Sequence, residues 1–479
     1  MGMRIGARTA ALLVTAAALC AASAPAAQAK TTLGTVEWVP GYAAPGTPEK
    51  LDKVGLVKVG SPTAKNVLVM EPGTSGGGAY FIPLAVALTE KSPEWQVWAV
   101  ERRENLLEKQ SELTKYKEGK VSGEELFNYY LGYLTNPAVT KHYKPLSERT
   151  AVKDGADEWG LNTAVQDLHI VIEKAKALGG KVVLGGHSLG GQVITAYATW
   201  DFGGHPGAEG LSGLVFDDGA SSPTPISAGE AEAGLNSLKS GSPWLAFGGI
   251  PSPDLGLFSM LGSSLSYKEP TAVSPLASFG LLPPELKAKN AKGEAVTPDN
   301  EAAFGYDVNV GTSPPNLAAA QAHVGAGLQE PSEASKPWTW NGAGAITPLP
   351  RYSEMLAGGT ERNADGSEWY FPERLTLDEG AVANGIPNPA QAVLGVHAIY
   401  GESLPKSLHM LAINSELDKL FGGSFTTLNF VEDLAAQSGI PSSNLTLINE
   451  EDTYAHNDPN GAYPANALLE HLVPFLAEL

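Results

Sequence analysis

Val182-Val183-Leu184-Gly185-Gly186-His187-Ser188-Leu189-Gly190-Gly191-Gln192-Val193-Ile194 passes from an apolar strand pattern, through Gly-x-Ser-x-Gly, into a helical pattern. A serine held on so sharp a strand-to-helix turn takes strained backbone geometry, and glycines two residues to either side let the neighbouring chains approach. Gly186 and Gly190 supply that clearance. The turn lifts the Ser188 hydroxyl clear of the sheet edge, and the start of the following helix adds a positive electrostatic end nearby. With 54 glycines in the chain the bare motif arises easily by chance, so its flanking strand and helix are what make Ser188 a candidate nucleophile.

A serine hydroxyl is a weak nucleophile at neutral pH and needs an imidazole base, which in turn needs an acceptor to orient it. Nine histidines are present. His187 sits inside the turn, next to the serine it would have to serve. His169 falls beside a helical stripe, His142 and His205 in polar loops, His323 and His397 in or beside a long insertion, His409 in a strand and His471 in the last helix. His456, in Tyr454-Ala455-His456-Asn457-Asp458-Pro459, follows the last strand pattern and precedes the last helix, and is the expected base. For the acid, Leu411-Ala412-Ile413-Asn414-Ser415-Glu416-Leu417-Asp418 places a carboxylate just past the penultimate strand, and Asp418 is the first choice. Asp217 and Asp218, ending Leu214-Val215-Phe216-Asp217-Asp218, compete with it, and Glu416 is a third possibility. For each the plain alternative is a strand-end carboxylate facing water.

An oxyanion needs backbone donors placed before the charge develops. The Leu189 amide directly follows the nucleophile. A second donor is expected from Glu71-Pro72-Gly73-Thr74-Ser75-Gly76-Gly77-Gly78, with Thr74 first and Ser75 next. The same loop lacks the Gly-Lys-Ser/Thr ending of a phosphate cradle. No histidines pair at helical spacing, so neither a metal nor another cofactor is expected.

Outward from these residues, short apolar runs alternate with helical patterns, the rhythm of a mostly parallel sheet covered on both faces. Strands are predicted at Asn66 to Met70, Gln96 to Val100, Lys181 to Gly185, Leu211 to Phe216, Leu408 to Ile413 and Leu445 to Ile448. Thr32 to Pro40 and Leu56 to Val59 read as antiparallel strands at the sheet edge. Apolar residues recur at helical spacing from Leu161 through Ala164, Val165, Leu168, Val171, Ile172 and Ala175, and Ala465 to Leu476 reads as a closing helix. Two stretches break the rhythm: a charged, helix-prone one from Glu104 to Trp159, and a Pro-, Gly- and Ala-rich one from Ser221 to about Gly395. The second is too long for a structureless loop and reads as a mainly helical cap, with a separate domain or a linker as the alternative. Its tryptophans and tyrosines suit either a pocket for an apolar or aromatic acyl group or the cap's own core.

Arg4 and Arg8, the apolar run Ala10 to Ala22 and Ala27-Gln28-Ala29 read as an export signal over residues 1–29, with the mature chain starting at Lys30 and lying outside the cytoplasm, extracellular or periplasmic. The run is shorter than the roughly 20 residues that span a bilayer, so no lasting membrane anchor is expected. Cleavage there removes Cys20, the chain's single cysteine, and with it thiol and disulfide chemistry. At 43% hydrophobic and 18% charged the chain suits a soluble globular protein. Its formal charge of −20 argues against nucleic acid and anionic lipid surfaces and leaves neutral substrates open.

Through Pro72-Gly73-Thr74, Gly186-His187-Ser188-Leu189-Gly190, Asp418 and His456, the chain resembles the secreted bacterial α/β-hydrolases, a superfamily of serine esterases and lipases; the likeness covers residues 66 to 102, 160 to 218 and 408 to 478. The resemblance implies an α/β-hydrolase fold, a core in two parts (30–220 and 396–479) with the cap at 221–395 inserted after the sixth core strand, and triad order Ser188, Asp418, His456. It also implies that some relatives draw the acid from the Asp217–Asp218 position. Pro72 departs from the histidine many relatives carry before the loop glycine. The implied activity is cleavage of small or polymeric carboxylic esters, lipid-like, aromatic or polyester, through an acyl-enzyme. An amidase or peptidase using the same residues and a non-catalytic exported binding protein are the alternatives.

Overall fold

A computed structural model describes residues 36–247, 249–276, 297–313, 315–333, 335–359, 361–420 and 426–479. The proposed export signal, Lys30 and Cys20 lie outside them. Eight strands form the main sheet: β1 (Glu37–Pro40), β2 (Lys53–Gly60), β3 (Asn66–Glu71), β4 (Trp95–Glu101), β5 (Val182–His187), β6 (Gly213–Asp217), β7 (His409–Asn414) and β8 (Leu445–Asn449). Their order is β1-β2-β4-β3-β5-β6-β7-β8, with β1/β2 and β2/β4 antiparallel and every other neighbour parallel. All eight strand readings fall on observed strands, with ends shifted by a few residues; the Thr32 to Thr35 part of the first reading lies outside the described residues. The order, the antiparallel second strand and the flanking helices are the α/β-hydrolase architecture that the resemblance implies.

Strands buried on both faces read as continuous apolar runs, and β4 and β5 are buried along their whole length. Helices α1 (Ile82–Lys91), α2 (Leu161–Lys176), α3 (Leu189–Thr199), α4 (Thr427–Ser438) and α5 (Ala467–Glu478) connect or close the sheet. The predicted stripe of α2 is its buried face: Leu161, Val165, Leu168, Val171, Ile172 and Ala175 pack into the main core with Val67, Leu184, Val193 and Phe216. Each of the leucine, valine and isoleucine side chains contributes roughly 1.5–3 kcal/mol by leaving water. Register brings Glu71 opposite Gly186, His187 opposite Asp217, and Asp217 opposite Ile413. The loops after β3, β5, β6 and β7 therefore leave the sheet at one level along its carboxyl edge, where open α/β sheets hold their ligands.

The two stretches that broke the sequence rhythm pack on each other. Leu113, Tyr116, Leu126, Tyr130 and Trp159 from the first join Trp244, Leu257, Met260, Trp369 and Tyr370 from the second in a separate hydrophobic core. Tyr130 meets the Trp369 ring edge-on at 5.9 Å, and Trp244 tilts against Tyr370 at 5.2 Å. Other parts of the excursion between β6 and β7, including Phe371, Leu375, Val382 and Leu394, belong to the main core beside the sheet. Among the described residues no helix is long and apolar enough to cross a membrane.

Candidate active site

Ser188 stands between β5 and α3 with φ 57° and ψ −126°, a region that a non-glycine residue occupies only when its surroundings hold it there. Its amide donates to the Asp217 carbonyl at 2.9 Å, and its carbonyl accepts from the Gly191 amide at 2.8 Å. Two glycines permit the crossing. A Cβ on Gly190 would strike the Glu71 carbonyl, and one on Gly219 would strike the Ser188 carbonyl. Gly73 faces the nucleophile so closely that its own Cβ would lie 2.7 Å from Ser188 Cβ and 3.3 Å from Oγ. The half-buried hydroxyl is thus presented to the loop after β3.

His456 is buried on the loop between β8 and α5, and its ring stacks on His187 with centroids 4.6 Å apart, beside the residue that precedes Ser188. His456 Nδ1 lies 2.5 Å from Asp218 Oδ2. Among the described residues its Nε2 is buried without a partner. A nitrogen that costs free energy while unpaired is one that a hydroxyl or a substrate proton would satisfy.

The carboxylate beside His456 is therefore that of Asp218, and the sequence preference for Asp418 is corrected. Asp218 turns back over the β6 end with φ 48°. Its Oδ1 accepts from the Ser415 amide at 2.7 Å, while the Ser415 hydroxyl donates to Oδ2. Asp418 instead accepts from the Thr427 amide at 2.9 Å, at the start of α4. Burial, then the charge of Asp218, pushes the Asp418 carboxyl up to about 6. Asp217 points away as well: its Oδ2 accepts from Asn460 Nδ2 at 2.6 Å, and burial raises its carboxyl far above the usual range. Glu416 has its amide on the Tyr454 carbonyl and makes no hydrogen bond to His456.

The expected oxyanion donors also have defined places. The Leu189 amide opens α3, where helix N–H groups lack intrahelical partners. Neither it nor the Thr74 amide has a partner among the described residues. The loop carrying Thr74 is held by a residue that sequence reasoning missed, Arg102. Its guanidinium donates to the Pro72 carbonyl, to the Gly73 carbonyl at 3.3 Å, to Glu71 at 2.8 Å and to Glu368 at 2.8 Å. From the far side the Glu368 amide donates to the Ser75 carbonyl at 2.8 Å. A basic residue just past β4 gave no signal in sequence because its acceptors come from two distant segments, 71–73 and Glu368.

His187, set aside as a base, has a different task. Burial holds its imidazole well below the usual range, so it is neutral. Its Nε2 lies 3.2 Å from the His456 carbonyl oxygen, which can only accept, so the proton sits on Nε2. Tyr80 also stacks on His187, with ring centroids 5.2 Å apart, and donates through its hydroxyl to Asn457 at 2.8 Å. Among the described residues no group of three or more His, Cys, Asp or Glu side chains is arranged to hold a metal ion.

No protein-family model and no curated protein matches the chain. Solved structures that resemble it include an alpha/beta hydrolase fold protein from Nakamurella multipartita (12% identity, 92% of this chain and 99% of that one, TM-score 0.38). A monoglyceride lipase from Saccharomyces cerevisiae is 10% identical over 94% and 95% of the two chains, with TM-score 0.37. Epoxide hydrolase A from Mycobacterium thermoresistibile is 14% identical over 92% and 98%, with TM-score 0.38.

Proposed function

We propose that the protein is an exported serine hydrolase that cleaves carboxylic esters. The observation that carries this reading is the His456–Asp218 pair, whose unpartnered Nε2 lies on the loop packed against the strained Ser188 turn. In the proposed reaction Ser188 Oγ attacks the ester carbonyl while His456 Nε2 takes the hydroxyl proton, and Asp218 holds Nδ1–H and stabilises the cation. The Leu189 and Thr74 amides receive the oxyanion. His456 returns the proton to the departing alcohol, leaving an acyl group on Ser188. Water, deprotonated by the same imidazole, then releases the acid.

Neutral esters are the proposed substrates because a chain of formal charge −20 repels anionic ones. Trp244, Trp369, Tyr370 and Phe371 are buried in packing, which favours the reading of them as core over that of an aromatic acyl pocket. The test is labelling of the purified protein by a fluorophosphonate probe with Ser188→Ala as control, followed by turnover of p-nitrophenyl esters and matching anilides. Labelling lost in the variant and ester turnover well above anilide turnover are expected. An unlabelled parent would favour a binding protein, and equal anilide turnover an amidase.

A further inference from the structure

The loop that carries His456 is tied to the β6–β7 excursion through a second imidazole–carboxylate pair. Asp458, two residues after His456, is fully buried. Its Oδ2 lies 2.6 Å from His323 Nδ1 and accepts from the Ala455 amide at 2.7 Å. Its Oδ1 accepts from the Thr347 hydroxyl at 2.6 Å and from the His323 amide at 3.1 Å. Next to it, the Asn457 amide donates to the Gln321 carbonyl at 3.1 Å, and Asn457 Nδ2 donates to the Ala319 and Gln321 carbonyls at 3.0 Å each. The residue before His456 and the two after it are thus fixed on this network, mostly by the segment 319–323, while the His456 carbonyl rests on His187.

We propose that His323 is a positioning residue for His456, acting through Asp458. The proposal rests on the hydrolase reading above and deepens it: the excursion completes the catalytic loop. A buried carboxylate is tolerated only when paired and hydrogen-bonded, so Asp458 stays seated because His323 and Thr347 meet it. Unseating it would shift His456, and a displacement of about 1 Å at such a group costs about a hundredfold in rate.

The pair is also pH-sensitive. The charged groups facing His323 are Asp458 and, from the corner after β7, Glu416. Partial burial lowers the imidazole, but the hydrogen bond and charge of Asp458, with Glu416 behind, outweigh it and raise the imidazole above its ordinary value. A raised imidazole is fully charged below its free value of about 6.5 and loses its contribution as pH rises through the folded value. The hold on the His456 loop therefore weakens on the alkaline side.

The experiment compares the full chain with His323→Ala and His323→Asn, whose amide can still donate to Asp458 without charge. It measures kcat and KM for p-nitrophenyl butyrate from about pH 5 to about pH 10 and the low-field proton resonance of His456 Nδ1–H. The alanine variant is expected to lose about tenfold to a hundredfold in kcat with KM within about twofold. The asparagine variant should stay within about threefold of the parent at neutral pH and lose the parent's alkaline fall in kcat. A parental kcat and pH profile in the alanine variant would overturn the proposal, as would equal losses in both variants with an unchanged profile. If the alanine variant does not fold, the asparagine profile decides. If the parent hydrolyses no ester, the hydrolase reading fails on its own. The resonance then decides: moved in His323→Ala and kept in His323→Asn supports the positioning role, and unmoved in both refutes it.

Discussion

Replacing Asp218 by asparagine tests the acid assignment at the atom where it matters. Asp218 Oδ2 takes the His456 Nδ1 contact at 2.5 Å and the Ser415 hydroxyl, while Oδ1 takes the Ser415 amide at 2.7 Å. An asparagine must place its NH₂ at one of these positions. With the Ser415 amide demanding an acceptor at Oδ1, the NH₂ falls at the Oδ2 position and faces Nδ1. His456 then accepts at Nδ1 and carries its proton on Nε2, the tautomer that cannot serve as base. A triad whose histidine is locked in the wrong tautomer loses about 10⁴ in kcat, about 5 kcal/mol of transition-state stabilisation. Asp418→Asn removes something smaller, a carboxylate that accepts from the Thr427 amide, and the amide oxygen of asparagine can still accept there. Its kcat is expected within about threefold of the parent and its stability within about 1 kcal/mol. The assay is single-turnover acylation and steady-state hydrolysis of one p-nitrophenyl ester by both variants, with fluorophosphonate labelling reporting on Ser188. A loss of orders of magnitude in Asp418→Asn beside less than about tenfold in Asp218→Asn would refute the assignment.

Two further outcomes follow from the same geometry. Gly219→Ala drives a Cβ into the Ser188 carbonyl, so it should cost several kcal/mol or abolish labelling, read by thermal unfolding and by the probe; parental behaviour in both would show that the turn is not as tight as described. Burial is the main cause that raises the Glu101 carboxyl to about 8, with Asp365 adding to it and the Gly78 amide opposing it, so its contribution is present below about pH 4 and is lost as pH rises through about 8. Glu101→Gln should therefore flatten the fall in unfolding temperature between about pH 4 and pH 8, and a slope identical to the parent's over that range would count against that reading.

Which parts of this site could be read in the sequence follows from how far each decision reaches along the chain. The Ser188 turn was legible because strand, tight turn and helix are local patterns with Gly186 and Gly190 two residues to either side, whereas Gly219 and Gly73, which the turn also needs, come from other loops and gave no local signal. His456 was legible because a single histidine lay between the last strand and the last helix. The aromatic residues of the excursion could be pocket or core until their partners were known, and those partners, Leu113 to Trp159, sit in a stretch that precedes the nucleophile. The acid is the hardest case. Asp217, Asp218, Glu416 and Asp418 leave the ends of two adjacent strands in register, so all four start near the same edge. What separates them is a competition for donors. Asp418 is drawn to the first amide of α4, and Asp217 faces Asn460 from the other side of β6. Asp218 alone turns back with positive φ into the two donors of Ser415, a residue 197 positions away, and that turn carries its second oxygen to the imidazole. Strand-end position makes a carboxylate available; the neighbouring strand's amide decides which one the histidine meets.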